Sequence, residues 1–97
     1  MFARVSTIQG KPKQVEDGIR QYREQVIPAV KKMVGFSGAY FLVDRQNGKE
    51  VSITLWDTEK EMRVSAAATN KLREQAAKTA AASDSPIVEI YEVAVRA

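Results

Sequence analysis

Apolar and polar residues alternate with period two from Phe2 to Gln9, which predicts a strand with Phe2, Arg4, Ser6 and Ile8 on one side and Ala3, Val5 and Thr7 on the other. Gly10-Lys11-Pro12 ends it, and Pro12 suits a first helical turn, where its missing N–H is not needed. The period then changes. Val15, Ile19, Tyr22, Val26, Val30 and Met33 recur at steps of three and four, one apolar stripe of a long helix that Pro28 should kink and Gly35 should stop. Two more alternating runs follow, Ala39 to Val43 and Val51 to Leu55, and Asn47-Gly48 between them predicts a type I′ hairpin. Beyond Trp56, Thr58 and Glu61 have the spacing of a capping box, so a second helix is expected from about Glu59 to about Ala81, with Met62, Ala66, Thr69, Leu72, Ala76 and Ala80 inward. Ser83-Asp84-Ser85-Pro86 breaks this helix, and a last strand runs from Ile87 to Val95.

The order β-α-β-β-α-β predicts an α+β, ferredoxin-like sandwich over residues 1–97 as a single domain. Its four-stranded antiparallel sheet carries both helices on one face, with the first strand between the third and fourth. The most apolar alternating set is expected under the helices: Ala3, Val5, Phe41, Val43, Val51, Ile53, Leu55, Val88 and Ile90. The opposite face then carries Phe2, Arg4, Ser6, Ile8, Tyr40, Leu42, Ser52, Thr54, Trp56, Glu89, Tyr91 and Val93. That second set is too aromatic for water and too polar for plain packing, the composition of a small-molecule cavity. One sheet cannot enclose a cavity, so two sheets packed face to face in a homodimer are expected.

Composition narrows the chemistry. The 97 residues contain no His and no Cys, which excludes imidazole or thiolate zinc sites, Cys nucleophiles and His-centred triads. Proton transfer must use Asp, Glu, Lys, Tyr, water or the substrate. No metal, haem or flavin cofactor is expected, since there is no Gly-rich phosphate loop either. The net charge of +3 comes from scattered basic residues, several at helical spacing from acids, so a nucleic-acid partner is not expected. Neither a membrane span nor a signal peptide is visible, and the absence of Cys fits a cytoplasmic setting.

Gly35-Phe36-Ser37-Gly38, Asp44 to Lys49, and Leu55-Trp56-Asp57-Thr58-Glu59-Lys60-Glu61-Met62, together with Ile27-Pro28, resemble the antibiotic-biosynthesis monooxygenase-like (ABM-like) proteins of the dimeric α+β barrel superfamily. The resemblance implies a dimeric barrel, and an oxygenase that needs no cofactor because the substrate anion reduces oxygen itself. Trp56 matches the family's Trp at the end of the third strand. Ser52 stands where catalytic members commonly have Asn, and Met62 where they have Tyr. Haem-degrading relatives carry a His on this helix, which the chain lacks. The candidate catalytic residues are Trp56, Arg4 as the anion-binding cation, and Glu89 as its neighbour or a base. Tyr40, Leu42, Ser52, Thr54 and Tyr91 are the candidate substrate-binding set. Two function classes follow: a cofactor-free monooxygenase acting on a small aromatic or quinone-type metabolite, or a non-catalytic dimer that binds such a molecule or is purely structural.

Overall fold

Strand β1 (Phe2–Gln9) begins the chain in a computed structural model of residues 1–97. After a 3₁₀ turn at Pro12–Gln14, the first helical stretch comprises α1 (Val15–Gln21), a π-helical segment Tyr22–Val26, and α2 (Ile27–Lys31). Strands β2 (Phe36–Val43) and β3 (Lys49–Trp56) form the hairpin, α3 (Glu59–Val64) and α4 (Ala66–Thr79) the second helical stretch, and β4 (Ile87–Glu92) the last strand. The sheet is four-stranded and antiparallel in the order β2-β3-β1-β4, with the helices on one face. The expected sandwich and its central first strand are therefore present. The last strand stops at Glu92 rather than Val95.

Local departures have identifiable causes. Pro28 has no N–H for the Glu24 carbonyl; instead of a plain kink, the backbone widens one turn earlier, where Ile27 N–H reaches back to Tyr22 C=O. The hairpin does not use a type I′ turn, because Gly48 (φ 80°) is its only positive-φ residue. Asp44 organises a longer loop: its carboxylate accepts from Gln46 N–H and Asn47 N–H, and its carbonyl accepts from Gly48 N–H at 2.9 Å. A side chain at Gly48 would also collide with the Lys11 and Pro12 backbone. The second helix breaks at Ser65 instead of running unbroken to Ala81. Thr58 caps α3 as expected, its hydroxyl accepting from Glu61 N–H at 3.1 Å.

The register settles the faces, and it corrects half of the expected assignment. Arg4 pairs with Thr54 and Ile90, Ser6 with Ser52 and Val88, Ile8 with Glu50, and Phe2 with Trp56. These residues lie under the helices: Arg4 hydrogen-bonds α3 and Ser52 bonds Tyr22. Ala3, Val5, Val51, Ile53 and Leu55 face away from the helices, although the most apolar set was expected beneath them. For β2 and β4 the expectation holds. Phe41, Val43, Val88 and Ile90 share the helix face, while Tyr40, Leu42, Glu89 and Tyr91 share the open one. A bulge at Ser37 resets β2, so that both Phe36 and Phe41 face the helices.

The helix-side core is built on Tyr22, Val26 and Val30, with Ile27, Met33, Phe36, Phe41 and Leu72 against it. Tyr22 and Phe41 stack with ring centroids 4.4 Å apart. No helix is long and apolar enough to cross a membrane.

Candidate functional site

The polar residues of β1 and β3 can face the helices because nearly all of them find partners there. Ser65 interrupts the second helix, its hydroxyl donating to Met62 C=O at 2.6 Å. Arg4 donates to that same carbonyl at 2.6 Å and to Ser65 Oγ at 3.1 Å, pinning the break to the central strand. Burial, and then the neighbouring Arg73 charge, lower the Arg4 guanidinium from its ordinary value. Trp56, wholly buried, donates its indole N–H to Thr54 Oγ1 at 3.0 Å and lies 5.8 Å from the Arg4 guanidinium carbon. Tyr22 Oη and Ser52 Oγ share a hydrogen bond of 2.7 Å, and burial raises the Tyr22 phenol above its usual range.

These residues surround a cavity of about 60 Å³ between the sheet and the helices. Arg4, Ser6, Ser52 and Thr54 contribute hydroxyls and a cation from the sheet, Val26, Val30, Phe41 and Leu72 form apolar walls, and Arg73 enters from α4. Arg73 Nε donates to Ser6 Oγ at 3.0 Å, and its Nη1 donates to Asn70 Oδ1. One lining residue remains without a partner. Glu50 is 2% exposed, and its Oε2 has no hydrogen bond. Its carboxylate lies against Gly18 of α1, where a Cβ would come within 2.8 Å of Oε2. No cluster of three or more His, Cys, Asp or Glu side chains is positioned to hold a metal ion.

Burial alone raises the Glu50 carboxyl from 4.5 to about 7. A raised carboxyl favours folding while it stays protonated, so its contribution is complete below about pH 4.5 and declines as pH rises through about 7. The shift corresponds to about 3 kcal/mol of lost stability on the alkaline side. Between about pH 4 and pH 8, the urea-denaturation stability of Glu50→Gln relative to the parent should rise by about that amount. A difference independent of pH would mean that Glu50 is well solvated.

The structure divides the expected site. Arg4, Ser52, Thr54 and Trp56 lie on the helix side, with Trp56 packed and the other three lining the cavity. Tyr40, Leu42, Glu89 and Tyr91 lie on the opposite face, so the expected Arg4–Glu89 neighbourhood does not form. Glu89 accepts a hydrogen bond from Tyr91 Oη at 2.9 Å, which raises the Tyr91 phenol. Glu50, Arg73, Ser6 and Tyr22 were not among the sequence candidates. Arg73, one residue beyond the inward Leu72, and Glu50, two residues before Ser52, were the available signals.

Several solved structures share this architecture. The ActVA-Orf6 monooxygenase of Streptomyces coelicolor, determined in complex with nanaomycin D, superposes with a TM-score of 0.82 at 18% identity, covering 99% of this chain and 89% of that one. An antibiotic biosynthesis monooxygenase gives 0.70 at 14%, covering 98% and 100%. SnoaB, a cofactor-independent oxygenase from Streptomyces nogalater, gives 0.64 at 17%, covering 98% and 92%. In sequence, the chain is 35% identical over 95 residues to the uncharacterized Mycobacterium tuberculosis protein Rv2558 and 33% identical over 94 residues to Rv2557. It spans 39% and 41% of the length of these curated relatives. No protein-family profile matches it.

Proposed function

We propose that this chain, which has the fold of the antibiotic biosynthesis monooxygenases, is a cofactor-independent monooxygenase-like protein for a small aromatic or quinone-type metabolite, working as a cytoplasmic homodimer. The observation that supports the reading is the cavity under the helices, where apolar walls meet two guanidinium groups and several hydroxyls. Of the two cations, Arg4 is committed to two buried partners, the Met62 carbonyl and the Ser65 hydroxyl, whereas the partners of Arg73 are the part-buried Ser6 hydroxyl and the exposed Asn70 amide. Arg73 therefore takes the anion-stabilising role given to Arg4 on sequence grounds. A fixed positive charge in a partly dry site stabilises an aromatic oxyanion and draws it toward the electron-rich form that oxygen attacks. For a phenol, the balanced reaction inserts one oxygen atom into the ring to give a quinone and releases the other as water.

Ser52 and Thr54 orient the ring through their hydroxyls, and Trp56 supports Thr54 from beneath. Tyr40, Leu42, Glu89 and Tyr91 belong to the proposed dimer face instead of the pocket. The buried side chain of Met62, where catalytic ABM-like proteins carry Tyr, favours a second reading in which the cavity binds its ligand without turnover. An oxygen electrode separates the two. Monocyclic hydroquinones in chelator-treated buffer should raise oxygen uptake above the uncatalysed rate, and Arg73→Ala should lower that increment by tenfold or more. Binding without oxygen uptake supports the second reading, and an Arg73→Ala variant as active as the parent removes the role of that residue.

A further inference from the structure

We propose that Glu50 is the proton acceptor for a single-ring phenol in the cavity, with Arg73 facing an acceptor oxygen at the far end of the ring. The proposal deepens the small-aromatic reading above and rests on it. Three observations carry it.

Glu50 is the cavity's unsatisfied group. Its Oε2 is buried without a partner beside Gly18, whereas the other polar lining side chains are engaged: Arg4 with Met62 and Ser65, Ser6 with Arg73, Ser52 with Tyr22, Thr54 with Trp56, and Thr69 with Ser65 and Ala66. A buried acceptor without a donor is the feature that a ligand O–H would satisfy.

The acceptor and the cation stand apart in the cavity. Arg73 is hydrogen-bonded at the row formed by Ser6 and Ser52, and Glu50 stands in the next row along the same face, paired with Ile8. Successive same-face rows are about 6.6 Å apart, so the two groups approach a bound ring at different points along its length.

The volume limits the occupant. About 60 Å³ is far below the roughly 300–1,000 Å³ of sites for drug-sized ligands, so fused-ring systems do not fit, and a single ring requires displacement of the partly buried Arg73 side chain.

The proton transfer is simple to balance. The phenol O–H bond breaks heterolytically, the proton passes to Glu50 Oε2, and the electron pair stays on the phenol oxygen beside the newly formed carboxylic acid. Arg4 from β1, Tyr22 from the π-helical segment and Arg73 from α4 are the ionisable groups that share the cavity, and none is bonded to Glu50. A carboxyl that titrates at about 7 is poised to exchange a proton with a phenol near neutral pH.

The probe is 4-nitrophenol, whose phenolate is coloured and whose nitro group supplies the acceptor end. At about pH 8.5, where free probe and empty Glu50 are both ionised, binding to the parent must take up one proton as Glu50 becomes the acid beside bound phenolate. Calorimetry in two buffers of different ionisation enthalpy should read one proton taken up, and affinity should fall about tenfold per pH unit above pH 8. Glu50→Gln should bind the coloured phenolate with no proton uptake and a flat pH profile, while Arg73→Gln weakens binding but keeps the uptake. No proton uptake in the parent, the same pH slope in Glu50→Gln, or no binding of 4-nitrophenol overturns the proposal. Proton uptake with no oxygen consumption on any hydroquinone leaves Glu50 in its role and overturns the oxygenase reading alone.

Discussion

Trp56→Ala should be the most destabilising single substitution in the chain, lowering stability by about 3–5 kcal/mol. The side chain is wholly buried between the end of β3 and α3, packs edge-to-face with Phe36 at 5.7 Å, and lies beside the Arg4 guanidinium. Removing it opens a cavity and also strips Thr54 of its N–H donor. It further loosens the packing around Arg4, which spans the break between α3 and α4. A domain of this length has about 5–15 kcal/mol in total, so thermal unfolding followed by circular dichroism should fall by roughly 15–30 °C. A loss below about 1 kcal/mol would show that Trp56 is not a packing residue and would return it to consideration as a ligand contact. Trp56→Phe separates the roles from the other side. It keeps most of the apolar volume, so a variant that folds normally yet loses oxygen uptake would place the indole in the chemistry.

The fold was legible because its determinants are local. Period-two runs, the 3.6-residue stripe from Val15 to Met33, the Thr58 cap and the Ser83–Pro86 breaker each act within a few residues, and together they fix the element order. The face of each strand was less legible, since alternation divides residues into two sets without saying which set meets the helices. Greater apolarity was the criterion, and in β1 and β3 it pointed the wrong way. In those strands the helix side carries Arg4, Ser6, Ser52 and Thr54, with partners on distant elements, as in Arg4 to the Met62 carbonyl 58 residues away. Nothing local to Arg4 announces that carbonyl, which is accessible only because the helix breaks at Ser65. Glu50 was hidden for a similar reason. A carboxylate at the start of a strand reads as solvated until Gly18, far off in sequence, closes over it. Pro28 was expected to kink the helix; the structure accommodates it through a π-helical turn upstream, which depends on backbone bonding that composition does not reveal.

Leu42→Lys should convert the protein from a dimer to a folded monomer at micromolar concentration. Outside the helices the sheet presents Val5, Tyr40, Leu42, Val51, Ile53, Ile87 and Tyr91, and in the single chain Leu42 remains 50% exposed and Tyr40 59% exposed. Such an apolar expanse is unfavourable in water, and Glu89, held by Tyr91, is the lone acid within the same face. Strand β4 adds a second argument, because Val88 and Ile90 are exposed on its helix side as well, 42% and 46%. A partner that covers this apolar surface would therefore reach around the edge of the sheet as well as across it. A second copy suits both needs, since a two-fold axis brings the same apolar patch against itself. Lys at position 42 would place an unpaired ammonium in that contact, a cost of several kcal/mol to association. The same Lys in the isolated chain sits half in water and leaves the helix-side core untouched. Sedimentation velocity should show the parent as a dimer and Leu42→Lys as a monomer with near-parental circular dichroism. Dimers unaffected by the substitution would put the interface elsewhere, and a monomeric parent would remove the barrel altogether.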